Sequence, residues 1–259
     1  MTHNPIAGAV IKRDRNIILA GLSAIILVTA VYTVNMAQSY GGISVAMMQH
    51  QNHADHGSDN FLNLFIMWTV MQVAMMSPTA IPMILMHTKV ERSRHPDHSP
   101  VIATALFFLG YIIVWVVFSA VFALVQMALQ SSALLSPQMA STSPWLAGGV
   151  LIAAGLFQFS KLKEVCLNEC RSPVTYFMLE WREEKTGALL MGLKHGIHCV
   201  GCCWVLMALL FVAGVMNLLW MGLITAFVLI EKVMPKGDIF GRVGGVGMLI
   251  WGIFLLLLA

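Results

Sequence analysis

Long apolar runs recur along this chain, at about 17–37, 61–86, 101–129, 144–160, 197–215, 217–230 and 243–258. A run of ~20 apolar residues matches the hydrocarbon thickness of a bilayer, and backbone polar groups in lipid must be satisfied within the segment. Helices are therefore the expected elements. The reading is all-α: a polytopic transmembrane helical bundle of about seven spans, with one integral membrane domain covering residues 1–259. The fourth and sixth runs are short, so six or eight spans fit the same pattern. Charged residues make up only 10% of the chain, against 58% hydrophobic, whereas soluble domains carry about a quarter charged residues.

The basic residues orient the bundle. Lys12, Arg13 and Arg15 precede the first run, and Lys89, Arg92 and Arg94 follow the second. Lys161, Lys163, Arg171, Arg182, Lys185 and Lys194 lie between the fourth and fifth, and Lys232, Lys236 and Arg242 between the sixth and seventh. With an odd span count and a cytosolic N-terminus, all fifteen Lys and Arg fall on the cytosolic face. The first run is longer than a signal-peptide core and no small-residue cleavage site follows it, so it reads as a retained anchor. The net charge of +3 then expresses orientation in the lipid bilayer. Dispersed basic residues without an aromatic-interleaved stripe exclude nucleic acid as the expected partner. A bacterial inner membrane is the expected location.

All five cysteines fall in two groups, Cys166 with Cys170 and Cys199 with Cys202 and Cys203. Both groups are expected in the cytosolic half, the second at the start of the fifth span. On helices, Cys166 and Cys170 share one face, His195, Cys199 and Cys202 or Cys203 share another, and His198 lies close to Cys202. Thiolates select Cu(I) and Zn(II), and clustered thiolates need a cation to offset their charge. Two alternatives stand beside metal binding: small buried hydrophobes, and a redox pair exchanging electrons between the groups.

Two further patterns hold potential metal ligands. Met47, Met48, His50, His53 and His56 crowd the first external loop, where thioether and imidazole can capture copper or zinc; a mobile His-rich loop is the alternative. Met71 and Met75, with Met76 beside them, continue a helical stripe from Met67, and Pro78 and Pro82 follow. Such a stripe is ordinary packing material, or a thioether path for Cu(I) toward the cysteines. Ionisable residues inside the runs are nearly absent. Glu231 and Lys232, at the end of the sixth run, are expected to snorkel to the cytosolic interface. No P-loop, phosphorylation motif or Ser/His/Asp arrangement is recognisable, so the chain is expected not to be an enzyme.

Four elements carry a family likeness: WxxMxxAMMxP from Trp68 to Pro78, LKxxCLxxCRxP from Leu162 to Pro173, GxxCxGCCW from Gly196 to Trp204, and Glu231-Lys232. In these the chain resembles the bacterial family of predicted metal-binding integral membrane proteins. The resemblance implies a membrane copper chaperone serving copper oxidases of the tyrosinase and laccase type, with Met71, Met75, Met76, Cys166, Cys170, Cys199, Cys202 and Cys203 as metal-site residues. The expected function is capture of copper and delivery of Cu(I) to an acceptor copper protein by ligand exchange, with self-association left open. The rivals are a membrane thiol–disulfide oxidoreductase and an assembly subunit holding a structural metal such as zinc.

Overall fold

In the computed structural model, which describes residues 5–47, 61–135 and 140–259 (side chains in the first stretch from 13 to 38), the chain is helical throughout. The order is α1 (Pro5–Met47), α2 (Phe61–Arg94), α3 (Val101–Ser131), α4 (Pro144–Phe157), α5 (Lys161–Arg171), α6 (Pro173–Glu180), α7 (Glu184–Ala208), α8 (Leu210–Ala213), α9 (Leu218–Val233) and α10 (Gly237–Leu257). Among the described residues, five segments are long and apolar enough to cross a membrane: Arg13–Gln38, Phe61–Arg94, Val101–Ser131, Glu184–Ala213 and Gly237–Leu257. A sixth is counted if α4 and α5, bent by 63° at their junction, act as one. The expected count of seven is not confirmed, because α9 has only 16 residues, about 24 Å at 1.5 Å per residue.

Caps define the breaks. Ser143 accepts from the Leu146 amide ahead of α4, with Pro144 at the first helical position. Ser160 accepts from the Lys163 amide and starts α5 in its new direction. Gly214, at φ 98°, ends α8, and the Asn217 side chain then accepts from the Leu219 and Trp220 amides to open α9.

Ion pairs tie one end of the bundle together. Arg92 at the end of α2 pairs with Asp14 of α1, Arg94 and His95 reach Glu183 ahead of α7, and Lys194 of α7 pairs with Glu180 of α6. Arg171, closing α5, holds the carbonyls of Met234 and Pro235 and pairs with Asp238 of α10. Outer faces are apolar: Leu109, Ile113, Val117, Val121 and Leu124 form an exposed stripe on α3, the pattern of a helix facing lipid.

The fifth run differs from its expected extent. Its helix begins at Glu184 rather than near Ile197, so Lys185 and Lys194 are helical. The reason is amphipathicity. Gly187, Ala188, Met191, Gly192 and His195 turn inward with helical spacing, and a search for continuous apolar residues passes over such a segment. Cys199 consequently stands near the middle of Glu184–Ala213, about 22 Å from its start.

Candidate metal centre

Close helix packing sets up the site. At Gly110 of α3 a Cβ would strike the Leu189 carbonyl, and at Gly192 of α7 it would strike the Phe107 carbonyl. Only glycine at both positions lets the two backbones meet this closely. The approach brings Tyr111 and Phe107 against His195, with ring centroids at 5.5 and 6.0 Å. Tyr176 of α6 closes the third side at 5.9 Å and donates to the Met191 carbonyl at 2.7 Å. Burial pushes the Tyr176 phenol well above its ordinary range, so it remains a donor.

One helical turn along, α5 faces α7. Cys166 and Cys170 are on the buried face of α5, as their spacing predicts, and Cys199, Cys202 and Cys203 are almost completely buried on α7. All five are free thiols. Cys170 is within hydrogen-bonding reach of both Cys199 and Cys202, and Cys203 is within reach of the same two. Cys166 packs against Gly201, where a Cβ would come within 2.7 Å of its sulfur. The two cysteine groups thus face one another across the contact of α5 with α7.

The surroundings of Cys199 are polar. Lys232 Nζ donates to Cys199 Sγ at 2.9 Å and to Thr79 Oγ1 at 3.2 Å. The Tyr111 hydroxyl is 3.2 Å from the same sulfur and 3.0 Å from the Met76 carbonyl. Cys202 and Cys203 direct their thiols to the Cys199 carbonyl, at 3.1 and 2.9 Å. The expectation that Glu231 and Lys232 snorkel is overturned. They are 1% and 7% exposed, because each has a buried partner: Lys232 the Cys199 sulfur, and Glu231 the Lys163 ammonium at 2.7 Å. Ion pairing inside the bundle replaces solvation at the interface.

Among the described residues, no group of three or more His, Cys, Asp or Glu side chains stands at metal-holding geometry. The sulfurs are engaged with the Cys199 carbonyl, with one another and with the Lys232 ammonium. Their chemistry nevertheless fits a soft monovalent ion: two thiolates suffice for linear Cu(I), and a single χ1 rotation redirects a cysteine sulfur. Cys170, Cys199, Cys202 and Cys203 are the residues that would hold it.

The remaining expected ligands divide. His195 is buried and its Nδ1 has no partner, and the buried Nδ1 of His198 also lacks one. Met71, Met75 and Met76 are buried inside the bundle, and the turn from Met76 to Thr79 touches both Tyr111 and Lys232. Beside them, Gln72 and Ser77 are buried with side-chain polar atoms unpaired. Met48, His50, His53 and His56 lie outside the described residues, as does the side chain of Met47. Tyr111, Thr79 and Lys163 were not indicated by sequence reasoning. For Lys232 and Glu231 the signal existed, since charged residues beside an apolar run are functional candidates. Tyr111 had none, being one aromatic in an apolar helix.

Comparison with known proteins adds a family. No curated protein and no solved structure matches the chain. A family model described as a copper chaperone, PpoB2, matches residues 65–255, which takes in α3 to α9 and nearly all of α2 and α10. The chain belongs to the PpoB2 copper chaperone family.

Proposed function

We propose that this protein is a membrane copper chaperone in which the sulfurs of Cys170, Cys199, Cys202 and Cys203 hold Cu(I) as cargo and pass it to an acceptor copper protein. The observation that carries the reading is the meeting of thiols from α5 and α7 at one buried point, in a chain whose family is defined by copper handling. Transfer proceeds by ligand exchange: an incoming sulfur forms a bond to Cu(I) as a cysteine sulfur leaves, with no change of oxidation state and no bond-making on a substrate. The protein acts as a carrier and not as an enzyme.

His195 and His198 flank the thiols one turn away and offer imidazole nitrogen during exchange. Met71, Met75 and Met76, with the unpaired Gln72 and Ser77 beside them, form a thioether route along α2. Met47, Met48, His50, His53 and His56 collect copper outside. The bundle is one domain in a bacterial inner membrane, its basic end in the cytosol.

The test is metal content by mass spectrometry on detergent-purified, reduced protein, with X-ray absorption at the copper edge. Near-stoichiometric, sulfur-coordinated Cu(I) is expected, and its loss when Cys170, Cys199, Cys202 and Cys203 are all replaced by Ser. Retained stoichiometric copper in that variant overturns the assignment. Absence of copper from the loaded protein, with a reversible Cys170–Cys199 disulfide, supports the thiol–disulfide reading that the same proximity permits.

A further inference from the structure

A cavity of about 700 Å³ lies at the basic end, behind the thiol cluster. Its rim carries exposed charges of both signs, Glu164 and Asp238 against Arg242. Its floor is buried and polar: Lys163, Glu231 and Gln158 are 3%, 1% and 6% exposed. Lys163 Nζ donates to both Glu231 oxygens, at 2.7 and 2.8 Å, and to the Gln158 side-chain carbonyl. Gly241 completes the floor, because a Cβ there would collide with the Glu231 carboxylate. The Gln158 Nε2 is left without a partner. A buried amide donor with its bond unmade is costly, so it marks a position where an acceptor is wanted.

The cavity and the thiol cluster are two sides of one wall. Leu167 lines the cavity from between Cys166 and Cys170 on α5. Glu231 lines it from α9, next to Lys232, whose ammonium rests on Cys199. The volume suits a small molecule. Arg242 and the free Gln158 amide suit a carboxylate, while Glu164 suits an ammonium, Asp238 being paired already with Arg171 at the same rim.

We infer that this cavity is the docking site of a small zwitterionic thiol that exchanges Cu(I) with the cysteine cluster; the inference rests on the copper reading above. The docked thiol forms one sulfur–copper bond, one cysteine–copper bond breaks, and the thiol's proton passes to the released cysteine sulfur, with no electron transferred. The wall opens by movement of α5, which is joined to α4 by a bend and followed at once by the break before α6.

The experiment uses the full chain loaded with Cu(I) in detergent, with reduced glutathione as the zwitterionic thiol and mercaptoethanol as the uncharged one. Copper exchange with glutathione is expected at least tenfold faster than with mercaptoethanol at equal thiol concentration. Asn168→Trp and Arg242→Trp fill the cavity from opposite walls. Each is expected to slow exchange with glutathione at least tenfold, while equilibrium affinity for a soluble Cu(I) chelator stays within threefold. Equal rates for the two thiols, or undiminished exchange in whichever filled variants fold, overturn the inference. Failure of the wild-type chain to load copper overturns the copper reading itself, and the loading step reads that separately.

Discussion

Replacing Lys232 with Met isolates the one full positive charge in contact with Cys199. Two thiolates around Cu(I) carry a net charge of −1, and the Lys232 ammonium brings the buried site to zero. Nζ is 2.9 Å from Cys199 Sγ; with copper spread over two sulfurs, an effective separation of about 5 Å and a dielectric of about 20 give ~3 kcal/mol of attraction. Lys232→Met should therefore weaken Cu(I) binding by about a hundredfold. Lys232→Arg, which keeps the charge but changes its shape, should stay within about tenfold. The assay is competition against a Cu(I) chelator under reducing conditions at fixed pH, with thiol titration to confirm five free cysteines. Unchanged affinity in Lys232→Met would refute the charge argument. Tighter binding would refute it in the opposite sense, showing that the ammonium competes with copper for the Cys199 sulfur.

Two further outcomes follow from the packing around the site. Gly192→Ala drives a Cβ into the Phe107 carbonyl and should destabilise the bundle by about 1–3 kcal/mol, read as a lower melting midpoint in detergent. Lys163→Met leaves Glu231 buried without its counter-charge and should cost about 3–5 kcal/mol, whereas Lys163→Met/Glu231→Leu should recover most of that. Thermal melts of the single and double variants measure the difference.

The helical class was legible in the sequence, because lipid leaves the backbone few choices. Within α5 the pairing of Cys166 and Cys170 on one face followed from spacing alone. Where α7 begins was not legible from apolar runs. Its first turns bury small residues, Gly187, Ala188 and Gly192, with exposed Lys185 and Lys194 on either side of them in sequence, and such a face raises no hydropathy signal. The helix that bears the Cys199 group is therefore longer than its apolar run. The partner of Lys232 was illegible for a different reason. A lysine at the end of an apolar run has two solutions, water at the interface or an anion inside, and the choice depends on which helix packs beside it.

That choice explains why the polar groups of this bundle are arranged in two layers. Lys163 and Glu231 neutralise one another at the cavity floor, so neither charge is available to the sulfurs. Lys232, one residue further along α9, is left with Cys199 and the neutral Thr79 hydroxyl. A single uncompensated ammonium beside a group of thiols favours one additional negative charge there. Two thiolates binding a monovalent cation supply that charge. A divalent cation on the same two sulfurs would leave the ammonium unbalanced and would need a third thiolate to reach neutrality. Removing the Lys163–Glu231 pair together, while keeping Lys232, should therefore lower stability little and leave Cu(I) affinity within a few fold. If affinity instead falls as far as in Lys232→Met, the two layers are electrostatically one, and the separation argued from their hydrogen bonds is wrong.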